Sequence, residues 1–152
     1  MGLSARIATE LLLVFGLGCL SHAADLKVVV LDSKSGHALH GKLVCILVPA
    51  GKSEGPVVYP SRECHRTDSG GTAAFALPDP APETVKVELS TNGLVPCFAS
   101  QPFVVADAMK DGMVAKNTCG DADNSTTETG EVVLFAHQKG VKETLGSARN
   151  EF

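Results

Sequence analysis

The sequence predicts an all-β protein: a single antiparallel Greek-key β-sandwich of about seven strands with one short helical segment. Three observations carry this. Short β-branched runs recur, with turn signals roughly every eight to twelve residues. The 15 Gly and 8 Pro that separate them suit turns and disfavour long helices. The intervals between runs leave no room for the crossover helices that α/β units require.

Taken in order, residues 26–31 (LKVVVL) form the first run, which stops at Asp32-Ser33-Lys34-Ser35-Gly36, a polar turn closed by glycine. Residues 42–48 (KLVCILV) follow and end at Pro49, which cannot donate to a ladder. Residues 51–60 read as loop or edge strand, with Val57-Val58-Tyr59 between Pro56 and Pro60. Thr67-Asp68-Ser69-Gly70-Gly71 is the strongest turn signal and precedes the run at 72–77 (TAAFAL). Pro78, Pro80 and Pro82 interrupt the chain before 84–90 (TVKVELS), where Val85, Val87 and Leu89 alternate with Lys86 and Glu88. Asn92-Gly93 turns the chain into a strand at 94–98. Residues 104–110 suit one or two helical turns stopped by Gly112. A polar loop at 119–129 leads to the last strand, 131–137 (EVVLFAH). The tail, 138–152, is polar and without an apolar stripe.

Residues 1–24 read as an address rather than as part of the domain. Arg6 precedes an apolar run at 11–20, and Ser21-His22-Ala23-Ala24 supplies small residues for a signal peptidase. The run is about ten residues, too short for a hydrocarbon core that needs about twenty. Cleavage after Ala23 or Ala24 leaves a domain over 25–137 and the tail. A rival reading makes Cys19 a lipidated first residue, but Gly16-Leu17-Gly18-Cys19 lacks the Leu expected three positions ahead of the cysteine. The chain is therefore expected to be secreted or periplasmic, with no transmembrane segment after processing.

Composition narrows the function. Net charge is −4, and no stretch concentrates Lys or Arg, so the basic footprint that displaces counterions from nucleic-acid phosphate is absent. No nucleic-acid partner is expected. Removal of residues 1–24 also removes Cys19 and leaves Cys45, Cys64, Cys97 and Cys119. An even number in an oxidising compartment predicts two disulfides. Three pairings exist; Cys45–Cys64 with Cys97–Cys119 is preferred because each closes a local loop of about twenty residues, worth about 3 kcal/mol.

The turn residues have a structural reading. Gly36 and Gly70 are expected at φ > 0, where a Cβ would be strained. Asp32 and Asp68 are expected to accept hydrogen bonds from N–H groups two residues on.

The string from Val30 through Asp32, Gly36 and Gly41 to Val44 resembles the opening of carboxypeptidase regulatory-like domains. Thr67-Asp68-Ser69-Gly70-Gly71 followed by Phe75 is similar to the second hallmark of that family. Bacterial Ig-like and collagen-adhesin B-type repeats share parts of this pattern. Asn117-Thr118-Cys119-Gly120 and the run from Gly130 to Phe135 look like small secreted bacterial proteins that carry such a domain. The resemblance implies a transthyretin-like (prealbumin-like) sandwich that serves as an accessory module without catalysis of its own. The zinc ligands of the parent peptidases are absent, and residues 131–137 offer no Asn for an isopeptide cross-link.

Asp68-Ser69-Gly70-Gly71 surrounds the nucleophile in chymotrypsin-like proteases, but His65 lies only four residues away and no second barrel exists. His37, His40, Cys64 and His65 miss the spacing of zinc ligands. Asp121-Ala122-Asp123-Asn124 opens like a calcium loop, yet Thr126 and Val132 occupy the positions where an EF-hand needs Gly and Glu. Asn124-Ser125-Thr126 is a glycosylation sequon if the host is eukaryotic. No catalytic residue, metal or cofactor is therefore assigned. The expected function is a non-catalytic interaction module whose partner is an unknown protein or envelope component, acting through loops or a strand edge. The alternative is a carbohydrate-binding module, with weak glycan contact at Tyr59 and with Phe98 and Phe103 as companions.

Overall fold

Apolar side chains at alternate positions give the strands a face to bury, and two sheets bury those faces against each other. A computed structural model describes residues 24–50, 56–123 and 126–140. The expected signal segment with Cys19 and Ala23, the sequon residues Asn124 and Ser125, and the tail from 141 onward lie outside the described residues. Ala24 is the first residue described, and its carbonyl accepts the Leu77 N–H at 3.0 Å.

Nine strands and one helix form among the described residues. They are β1 (Asp25–Asp32), β2 (Leu43–Val48), β3 (Ser61–Arg66), β4 (Thr72–Ala76) and β5 (Thr84–Leu89), then β6 (Leu94–Pro96), β7 (Phe103–Val104), α1 (Val105–Asp111), β8 (Met113–Val114) and β9 (Glu131–Gln138). One sheet runs β4-β1-β9-β6, with β8 also paired to β9; the other runs β3-β2-β5-β7. The protein is an all-β sandwich. Every pairing is antiparallel except β1–β9 and β8–β9, which are parallel. The β1–β9 pair is possible because nearly the whole domain serves as its crossover.

Leu26, Val28 and Val30 of β1, Phe75 of β4 and Val132 and Leu134 of β9 face Val44 and Ile46 of β2 and Val85, Val87 and Leu89 of β5 in the buried core. A second, smaller cluster lies on the opposite face of the first sheet. There Val29, Val133, Phe135 and Cys97 are buried, with Leu31 and Ala122 packed against them. Burial on both faces explains why β1 and β9 read as unbroken apolar runs.

The helix falls where expected. Val105 and Ala108 are buried, Asp107 sits in the first turn and Lys110 in the last, and both charges complement the helix dipole. Gly112 ends it at φ 72°, its N–H donating to the Ala108 carbonyl.

One strand was not anticipated, and one expectation needs correction. Ser61–Arg66, to which the sequence assigned no element, is a full strand, while Val57-Val58-Tyr59 takes the loop alternative and lies outside any strand. Pro56 and Pro60 offer no N–H to a ladder on either side of the pair, and the Val58 carbonyl accepts the Ala50 N–H at 2.8 Å. The correction concerns Gly70: the left-handed conformation falls on Gly71, at φ 75°, and Gly70 is not in that region. Gly71 must pass under β1, where an added Cβ would lie 2.8 Å from the Val30 carbonyl oxygen. Gly36 takes φ 70° as expected.

Candidate interaction surface

Both aspartate turns are built as the sequence suggests. Asp32 Oδ1 accepts from the N–H groups of Lys34 (3.1 Å) and Ser35 (2.8 Å) and from the Ser35 hydroxyl (2.9 Å). The Ser35 N–H is the main reason its carboxyl is held below the usual carboxylate range; burial opposes this, while the Ser35 hydroxyl, the Lys34 N–H and His137 reinforce it. Asp68 Oδ1 accepts from the N–H groups of Gly70 and Thr72, both at 2.9 Å. Beside it the Thr67 hydroxyl donates to the Leu39 carbonyl (2.6 Å) and accepts from the Lys42 N–H (2.9 Å). These bonds fix the arch that carries the chain from β3 in one sheet to β4 in the other.

β3 is the outer strand of its sheet. The Thr67 N–H donates to the Lys42 carbonyl at 2.9 Å, and from there hydrogen-bonded pairs alternate along the β2–β3 ladder. Val44–His65 and Ile46–Glu63 are bonded pairs, and Cys45–Cys64 is a non-bonded one. Non-bonded pairs bring Cα atoms closest, so this is where a cross-strand disulfide fits: Cys45 and Cys64 are bridged, with Cα atoms 4.0 Å apart. The same alternation turns the N–H and C=O groups of Arg62, Cys64 and Arg66 away from β2, toward the open side.

Side chains divide accordingly. Glu63 and His65 point to the sandwich interior side, where His65 Nε2 lies 2.8 Å from Glu63 Oε1 and the imidazole stacks on Phe75 with ring centroids 4.9 Å apart. Arg62, Cys64 and Arg66 share the outer face with Lys86 and Glu88 of β5. Glu88 lies 3.1 Å from Lys86 Nζ and 3.8 Å from Arg62 Nη2, and Arg66 Nη1 donates to the Gly41 carbonyl at 2.9 Å. Lys86 Nζ also sits 5.9 Å from the centre of the Tyr59 ring. Just ahead of β3, Val57 and Val58 are 64% and 60% exposed.

A second feature covers the outer face of the other sheet. Cys97 and Cys119 are bridged, and Asn117 holds the loop between β8 and β9 in place. Its Nδ2 donates to the carbonyls of Ser33 (2.7 Å) and Ala122 (2.9 Å), and its Oδ1 accepts from the Cys119 N–H (3.1 Å). An open cleft of about 480 Å³ lies against this loop, lined by Val114, Lys116, Asn117, Asp121, Asp123 and Phe135.

The four cysteines thus pair as preferred from loop length, and the other candidates are scattered. His65 is engaged by Glu63 and Phe75, and the Asp68 carboxylate is committed to backbone N–H groups rather than to an imidazole. Cys64 is in a disulfide, and His37 and His40 are exposed. Asp121 and Asp123 line the cleft. Among the described residues no group of three or more His, Cys, Asp or Glu is placed to hold a metal ion. Of the ring side chains, Phe103 is buried, Phe98 packs partly against the core, and Tyr59 is half-buried beneath Lys86. No helix among the described residues is long and apolar enough to cross a membrane. The sequence reading missed Arg62 and Arg66. The signal available was Arg-x-Cys-x-Arg, a period-2 pattern written in charge instead of hydrophobicity.

No protein-family model matches the chain, and no curated protein matches it. Among solved structures it is similar to a 9R-lipoxygenase from Cyanothece PCC8801, at 13% identity and a TM-score of 0.34, over 74% of this chain and 16% of that one. The chain spans only a small part of the lipoxygenase.

Proposed function

We propose that the protein is a secreted or periplasmic, non-catalytic accessory module that binds a protein or envelope component. The observation that carries this reading is the open side of β3, a six-residue strand whose outward backbone groups adjoin the exposed Val57 and Val58. Native sheets usually cover or shorten such an edge, and partners that add a strand use it. The two disulfides support an oxidising compartment. The resemblance to carboxypeptidase regulatory-like domains, whose role is accessory, supports the same assignment. The reading favours a protein partner over a glycan because the Tyr59 face is shared with Lys86 and Phe103 is buried.

The test is capture from the native medium or envelope extract of the host with immobilised mature protein and an Arg62→Pro variant. Proline removes one outward N–H together with the Arg62 guanidinium, without touching the bonds to β2. A species retained by the wild type and lost from the variant is expected; identical capture by both contradicts the use of this edge.

A further inference from the structure

We infer that the open edge of β3 accepts an extended, acidic peptide strand, with carboxylates four residues apart set against Arg62 and Arg66. This deepens the interaction reading above and rests on it.

Three observations converge. The first is the backbone: Arg62, Cys64 and Arg66 turn their N–H and C=O groups to the open side. An antiparallel partner strand would make its bonded pairs with these three residues. The second is charge. In a chain of net charge −4, the outer face of this sheet carries Arg62, Arg66 and Lys86 against Glu88 alone among the ionisable side chains of β2, β3 and β5 there. Arg62 is 60% exposed and touches Glu88 only at 3.8 Å. Arg66 spends one of its donors on Gly41, and a guanidinium has five. The third is the exposed Val57-Val58 pair at the start of the edge, which supplies an apolar contact for the end of such a strand.

The period of a strand then dictates the ligand. Residues 62, 64 and 66 share one face, so their partners are residues j+4, j+2 and j of the incoming strand. Carboxylates at j and j+4 meet the two guanidinium groups, where charge-assisted, bidentate bonds form. The residue at j+2 lies over the Cys45–Cys64 bridge and is small or apolar. Glu63 is already paired with His65 on the other face and does not oppose this arrangement.

The same charges disfavour the obvious competitor. When a second copy of this chain pairs with β3 about Cys64, Arg62 of one faces Arg66 of the other, and like charges directly opposite destabilise a sheet pair. The edge is thus closed to itself and complementary to an acidic strand, attraction and repulsion combining to give specificity.

The probe is a fluorescent peptide of about ten residues, Val/Thr-rich with two Glu four positions apart, compared with its Lys-for-Glu counterpart by anisotropy. The mature, oxidised protein should bind the Glu peptide at least about tenfold tighter than the Lys peptide, with affinity falling as salt rises. In Arg62→Glu/Arg66→Glu the preference should reverse. Amide shifts in the titrated wild type should move at Arg62, Cys64 and Arg66. Equal affinity of the wild type for the two peptides, or binding to neither, overturns the inference without needing the variant. Shifts confined to the cleft beside Asn117, or dimerisation through β3 seen by sedimentation, overturn it while leaving an interaction module standing. Native capture that retains no species on the wild type is the separate result that removes the broader reading.

Discussion

Asn117 reaches back 84 positions along the chain to donate its Nδ2 hydrogen bond to the Ser33 carbonyl at 2.7 Å. The contact joins the loop before β9 to the turn after β1, and the Ala122 N–H reaches the same carbonyl at 3.1 Å. The loop therefore seals the small outer cluster of Val29, Val133 and Phe135 by a few polar bonds and one disulfide.

Replacing Asn117 by Ala removes two partly buried donated bonds and one exposed accepted bond. Ser33 keeps the Ala122 N–H, so the loss is partial. Urea titration should show a destabilisation of about 1–3 kcal/mol. Asn117→Asp should be at least as damaging, because a carboxylate would face two carbonyl oxygens with no donor.

Adjacent glycines give a sharper contrast. Gly71→Ala forces a Cβ to within 2.8 Å of the Val30 carbonyl at φ 75°, and should cost about 2 kcal/mol or more. At Gly70 the nearest atom to an added Cβ is Asp68 Oδ1 at 3.4 Å, and φ is unremarkable. Gly70→Ala should stay within about 0.5 kcal/mol of the wild type by thermal unfolding. Equal losses would contradict the assignment of the left-handed position.

Asp32 predicts a pH dependence. Its folded-state carboxyl is held below the usual value, chiefly by the Ser35 N–H. The folded protein therefore binds this proton less readily than the unfolded chain. The stabilisation is complete above the unfolded pKa of about 3.9 and is lost as pH falls through the lower folded value. In Asp32→Asn the amide oxygen still accepts but carries no charge. That variant should be less stable at pH 7 and show a shallower loss of stability below about pH 4.

What was legible in the sequence follows burial. β5 was plain because Val85, Val87 and Leu89 are buried while Lys86 and Glu88 face outward. β3 was hidden because it is mostly exposed on both faces, so hydrophobicity has no period to report. The aspartate turns were legible because their bonds are local. Gly71 was misplaced by one residue because the crowding that selects it comes from Val30, distant in sequence. The parallel β1–β9 register and the sealing loop depend on long-range contacts, although the uninterrupted runs VVVL and VVLFA carried the unused signal of strands covered on both sides.

The sandwich has its edge strand and its sealing loop each pinned by a local bridge. Proteolysis of the oxidised protein without reductant, followed by mass spectrometry of the linked peptides, is the decisive measurement. The peptide bearing Cys45 should be joined to that bearing Cys64, and Cys97 to Cys119. A Cys45–Cys97 or Cys45–Cys119 link would contradict the β2–β3 register and the open edge that follows from it, and free thiols at these positions would contradict the two bridges.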